Sequence, residues 1–176
     1  MSYITLKPRI NVGDHVQGEK DAPIEIIEFG EYFNPYSQKM FKVMSQVIAA
    51  NRGRIKYTFR NFPDRERHPF ADLAARATHA AFLQGKYLAM HQRIFEAMGD
   101  VNKDKLMRFA QELGLDMPQF IKNINGQECL NKLITDIETA NRCGLVRVPA
   151  LFIQGERYEG EYYPSDINKV IAGIEV

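Results

Sequence analysis

The feature that most constrains this chain is a change of hydrophobic period between residues 23 and 48. PIEIIEF (Pro23–Phe29) is short, rich in β-branched residues and bounded by Asp-Ala-Pro, which predicts a buried strand. Beyond it, Met40, Phe41, Met44, Val47 and Ile48 recur at i, i+1, i+4, i+7 and i+8, which predicts a helix over Pro35–Asn51. Asn34 suits the N-cap and Pro35 the first helical position. The stretch Asn34-Pro35-Tyr36-Ser37 therefore sits where a strand turns directly into a helix. Gly53 closes the next turn, and RIKYTFR (54–60) is a second strand.

A long helical block follows. His68-Pro69 opens an alanine-rich helix, FADLAARATHAAFLQG, whose small residues permit close packing, with Gly85 as its C-cap. KYLAMHQRIFEAM is a further helix, and NKDKLMRFAQELG runs from an Asn102 cap to Gly114. LDMPQFIKNING has Asp116 as cap and Pro118 in its first turn, and QECLNKLITDIETANRCG closes the block. The pattern then returns to strands, with Ala150–Ile153, a tight turn at Gln154-Gly155 and a return strand. PSDINKVIAGI is a terminal helix capped by Ser165. The polar leading residues 1–20 add at most an edge strand. The order is β-α-β, about five helices, then β-β-α, in one domain spanning 1–176. With 45% hydrophobic and 26% charged residues, such a chain has the composition of a packed globular protein.

Several function classes lose support at once. The net charge of +1 gives no global pull toward nucleic acid or an anionic membrane, and the basic run NRGRIK reads as a solvated face. No window approaches the ~20 apolar residues that span a bilayer. The opening MSYITLKPRI has no apolar core of a signal peptide, so a cytoplasmic protein is expected. His15, His68, His79 and His91 show no metal spacing: His68 reads as a helix cap, His79 and His91 as ordinary helix residues, and no metal is expected. Cys129 and Cys143 lie fourteen positions apart on a helix, about 20 Å by rise per residue, whereas a disulfide needs Cα atoms within about 7 Å. Both are expected to be free, buried thiols.

The local sequences sharpen this outline. DAPIEIIEFGEYFNPYS resembles the entrance to the active-site helix of the DsbA-like thiol-disulfide oxidoreductases, where the last four residues would be CPYC. HPFADLAARATHAAFLQGKYLAMHQRIFEAM and LMRFAQELGLDMPQF are similar to that family's inserted helices, and GLVRVPALFIQGERYEG to its cis-proline segment and hairpin. The resemblance covers residues 15–172. It implies an α/β thioredoxin fold, with its core at about 15–62 and 144–174 and an all-helical insertion at about 65–143. It also implies that Glu28 is the family's buried acid. By the same resemblance, Val148-Pro149 is the cis-proline pair that presents backbone groups to a peptide or glutathione.

The chain departs from the family at the place where the family's chemistry is done. Asn34 stands at the position of the nucleophilic cysteine and Ser37 at that of the resolving one. Neither side chain can form a thiolate or close a disulfide. The reading this supports is a redox-inactive member that binds a peptide, a protein partner or a small thiol in the groove between the NPYS turn, Pro149 and the helical insertion. In that reading Asn34 and Ser37 donate hydrogen bonds at the helix N-terminus, and no cofactor is required. A second reading is a glutathione-dependent transferase or isomerase of kappa-like type, whose SPYS-like turn is similar to Pro35-Tyr36-Ser37. A third relocates redox chemistry to Cys129 or Cys143, against which stands the ordinary fate of a free cysteine, burial.

Overall fold

The computed structural model describes residues 5–175. Met1–Ile4, part of the polar leading segment, and Val176 lie outside the described residues. Five strands form one sheet in the order β1-β3-β2-β4-β5. The strands are β1 (Val16–Gly18), β2 (Ile24–Gly30), β3 (Ile55–Asn61), β4 (Ala150–Ile153) and β5 (Glu156–Arg157). β2 runs parallel to β3, in register from Ile24 opposite Ile55 to Gly30 opposite Asn61. β1, β4 and β5 each run antiparallel to a neighbour. This is the α/β thioredoxin fold that the sequence implied, with the expected edge strand supplied by Val16–Gly18.

β2 is central and buried along its whole length, so its two faces feed two apolar clusters. Ile24 and Ile26 join Ile55, Tyr57 and Phe59 of β3 on one face, with Leu151 and Ile153 of β4. Met40, Met44 and Val47 of α1 (Pro35–Ala50) and Ile167 and Ile171 of α7 (Pro164–Ala172) cover them. On the other face, Ile27, Phe29, Ala150 and Phe152 pack with Ala140, Cys143 and Leu145. The period-2 alternation of these strands is what divides their side chains between two layers.

Between β3 and β4 lie five helices: α2 (Ala71–Phe82), α3 (Tyr87–Glu96), α4 (Lys103–Glu112), α5 (Met117–Ile124) and α6 (Gln127–Arg142). α2 is the hub, touching α3, α4, α5 and α6. Its alanines at 71, 74, 75, 77, 80 and 81 are all buried, and their lack of bulk lets several helix backbones approach one axis. Asn102 and Asp116 cap α4 and α5 as expected, accepting the Lys105 and Gln119 amides at 2.9 Å. Two expected caps fail. α7 begins at Pro164, so Ser165 falls inside its first turn, and Phe70 rather than His68 precedes α2. His68 is drawn away by a stronger partner, described below. Among the described residues, no helix is long and apolar enough to cross a membrane.

Candidate functional site

The turn at 34–37 is built by β2 stopping against α1. Gly30 is the last residue of the strand, and a side chain there would meet the Phe59 ring, a Cβ falling 2.3 Å from a ring carbon. Asn34 then caps α1: its Oδ1 accepts the Tyr36 and Ser37 amides at 2.8 and 3.2 Å. Pro35 has no amide proton, and the Gln38 N–H bonds the Asn34 carbonyl at 3.0 Å. The donors that a bare helix start would offer to an anion are therefore taken. What the cap leaves is the Asn34 Nδ2 amide, on a half-buried side chain.

Ser37 does not share that role. It is fully buried, and its Oγ accepts the Glu31 N–H at 3.2 Å. The expected ligand-facing hydroxyl is instead turned inward, where it fixes the strand-to-helix turn. Glu28, the acid that the resemblance implied to be buried, is fully buried in the core. The Tyr57 hydroxyl donates to its Oε2 at 2.7 Å, while Oε1 finds no partner. Burial pushes this carboxyl up to about 8, and the Tyr57 hydrogen bond opposes the shift only in part.

A cavity of about 590 Å³ opens beside the turn. Its walls are the first turns of α1 (Tyr36, Lys39, Met40), the segment Arg147–Pro149, and Glu161–Tyr163 before α7. The expected wall from the helical insertion is absent from this cavity; the 161–163 segment takes its place because it folds back under Pro149. There the Tyr162 hydroxyl donates to the Pro149 carbonyl at 3.3 Å. The Val148–Pro149 bond is cis. Tyr36 and Tyr163 stand 67% and 62% exposed at the rim, far more than aromatic rings usually are.

The two cysteines lie elsewhere. Cys129 sits in the main core and Cys143 in the second cluster, both buried and free. Burial pushes the Cys129 thiol up to about 11 and the Cys143 thiol up as well. Neither has the low-pKa, exposed setting of a reactive thiol.

Sequence reasoning missed a polar layer around the turn. His68 hydrogen-bonds Glu31 through Nδ1 and stacks on Phe33, ring centroids 5.7 Å apart. Glu31 is buried and its second oxygen unpartnered; burial pushes its carboxyl up, while the His68 imidazole beside it pulls the other way. Deeper, His91 Nδ1 is shared by the Tyr32 and Tyr87 hydroxyls at 2.7 and 3.2 Å. His15 Nε2 meets His79 Nδ1 at 2.8 Å. Burial lowers His91 to about 3 and His79 to about 4, so these imidazoles are neutral core groups. The single available signal was the placement of histidines on otherwise apolar helix faces, which does not distinguish a core residue from a solvated one.

A family model described as Thioredoxin matches residues 10–172. The chain belongs to the thioredoxin family. A thioredoxin-like oxidoreductase from Silicibacter pomeroyi superposes with a TM-score of 0.83 at 23% identity, covering 92% of each chain. The thiol-disulfide exchange protein alpha-DsbA2 from Wolbachia pipientis also gives 0.83, at 19% identity over 94% of this chain and 89% of that one. At such identities these thioredoxin relatives share the DsbA-like fold. By sequence, the chain is also similar to a Na(+)/H(+) antiporter NhaA 1 from Mycolicibacterium gilvum, 31% identical over 97% of this chain. It spans 27% of that relative's length, about a quarter.

Proposed function

We propose that this thioredoxin-family protein binds an extended peptide segment of a partner in the groove beside Pro149 and exchanges no disulfides there. The observation that carries the reading is an open stretch of backbone facing a formed cavity. Among the described residues, no backbone hydrogen bond involves Val146, Arg147 or Val148, although Ala150 immediately beyond them is in the sheet. Free N–H and C=O groups at the end of a strand are what an added peptide strand pairs with. The exposed rings of Tyr36 and Tyr163 supply apolar rims for its side chains. With Asn34 and Ser37 in place of thiols, the turn has no nucleophile to attack a disulfide. The buried, unpaired cysteines fit a reducing compartment such as the cytoplasm.

The second reading, a glutathione-dependent transferase or isomerase, has one observation in its favour: Asn34 Nδ2 is free to donate to a thiolate. It is the weaker reading because Tyr36 and Ser37 already spend their amides on the cap. Amide NMR titrations separate the two. An extended peptide is expected to shift Tyr36, Lys39, Arg147 and Val148, and the protein should not accelerate insulin disulfide reduction. Insulin turnover would overturn the redox part. Saturable shifts with reduced glutathione at 34–37 and 147–150, removed by Asn34→Ala, would put the second reading in place of the first.

A further inference from the structure

The groove carries an unpaired positive excess. Two cations, Lys39 on α1 and Arg147 just before Pro149, line it against a single carboxylate, Glu161. Among the described residues neither cation has a carboxylate within ion-pair distance, and Lys39 rests over the Tyr36 ring, 5.7 Å from its centroid. The nearby Arg157 and Glu159 neutralise each other at 3.2 Å, so they leave this excess untouched. The whole chain carries a net charge of only +1. The positive excess is thus local to the groove rather than a reflection of a basic protein. A second strongly charged place, this one buried, differs in kind. There Asp14 takes two bonds from Arg60, at 3.0 and 2.7 Å, and shares Lys132 with Asp136. That cluster is satisfied within the fold and asks for no ligand.

We infer that the partner segment held by this groove is acidic: an extended peptide carrying an aspartate or glutamate side chain next to the residue that pairs with Arg147–Val148. The inference rests on the peptide-binding reading above and adds its substrate class. The peptide backbone joins the free groups of 146–148. Its acidic side chain is then set between Arg147, on the pairing strand itself, and Lys39, on the facing helix turn. Glu161 on the third wall repels the same charge and sets the register, because an acidic group displaced toward it loses both cations. A lysine at that position of the peptide would meet two like charges. Complementarity of this kind acts mainly through specificity and association rate, and salt weakens it.

The test uses fluorescently labelled peptides of one Ser/Thr/Val background carrying Glu, Gln or Lys at the centre, with anisotropy read at low and at physiological salt. The Glu peptide is expected to bind roughly tenfold more tightly than the Lys peptide at low salt, with the gap narrowing as salt rises. Lys39→Glu combined with Arg147→Glu should reverse the order, and Glu161→Gln should tighten the Glu peptide by a fewfold. All three residues are exposed, so these variants are expected to fold, which near-ultraviolet circular dichroism verifies. Equal affinity for all three peptides would overturn the acidic preference and leave the groove reading standing. Binding of none of them, with the protein folded, would overturn both.

Discussion

At the residue scale, Glu28 shows how a single buried acid makes stability depend on pH. Its carboxyl is held at about 8 in the folded chain, against an ordinary value near 4.5, because burial disfavours the ion. Well below pH 4.5 it is protonated in both states and adds no pH dependence. As pH rises toward 8, the unfolded chain releases the proton and the folded chain keeps it, so folding weakens by about 1.4 kcal/mol per pH unit at most. Glu28→Gln removes that slope. Urea unfolding at several pH values should show the variant gaining on the parent through this window and holding a constant advantage above it; parallel curves would mean that Glu28 is already ionised in the fold. The Glu31–His68 pair predicts the opposite kind of result. His68→Ala strands a second oxygen of the buried Glu31 carboxyl group and should cost about 2 kcal/mol, whereas adding Glu31→Gln to it should recover part of the loss. A double-mutant cycle measures that coupling, and strict additivity would show that the pair contributes nothing.

At the element scale, the chain was legible where a period and a terminator agreed. β2, α1 and β4 were readable because β-branched or i, i+4 patterns met Asn-Pro or Gln-Gly boundaries. The Gln154–Gly155 turn bears this out with φ of 52° and 82°, the pair of positive angles that a tight hairpin needs. The cap at Ser165 was misread because Pro164 takes the first helical position and leaves the serine inside the turn, and that at His68 because its imidazole pairs with Glu31 while α2 starts only at Ala71. The Glu31–His68 pair was illegible for a different reason. Its members are far apart in sequence and meet only when β2 and the loop after β3 are laid side by side. The groove wall was misplaced likewise, since nothing in the sequence says that 161–163 folds under Pro149. Gly30 is the element-level constraint that the structure adds. Gly30→Ala would drive a methyl into the Phe59 ring and should cost about 2–3 kcal/mol. Because β2 delivers the turn, amide shifts should move at Asn34–Ser37 as well as at Phe59. Destabilisation without shifts at the turn would mean that the strand end and the turn are independent.

At the scale of the whole molecule, a thioredoxin fold surrounds a turn that holds no thiol. The insertion is tied to the sheet by the Asn61 amide, which donates to Asp136 of α6 at 3.0 Å. The amides that cap α1 now point at the Asn34 oxygen from 2.8 and 3.2 Å. A sulfur anion at that position would meet the same two donors and the positive end of the same helix, the combination that lowers a thiol's proton affinity. Asn34→Cys should therefore create a thiol that titrates at least a full unit below the ordinary value of about 8.5, read from thiolate absorbance against pH. Adding Ser37→Cys places a second sulfur one helical turn on, in a site already shielded from solvent, and the double variant should reduce insulin disulfides in the presence of a dithiol reductant. If the new thiol titrates normally, the donors are committed to the asparagine's shape rather than available to an anion, and the turn is a helix cap alone. If it titrates low and the double variant turns over, then two side chains, at 34 and 37, are what separate this turn from a working dithiol site.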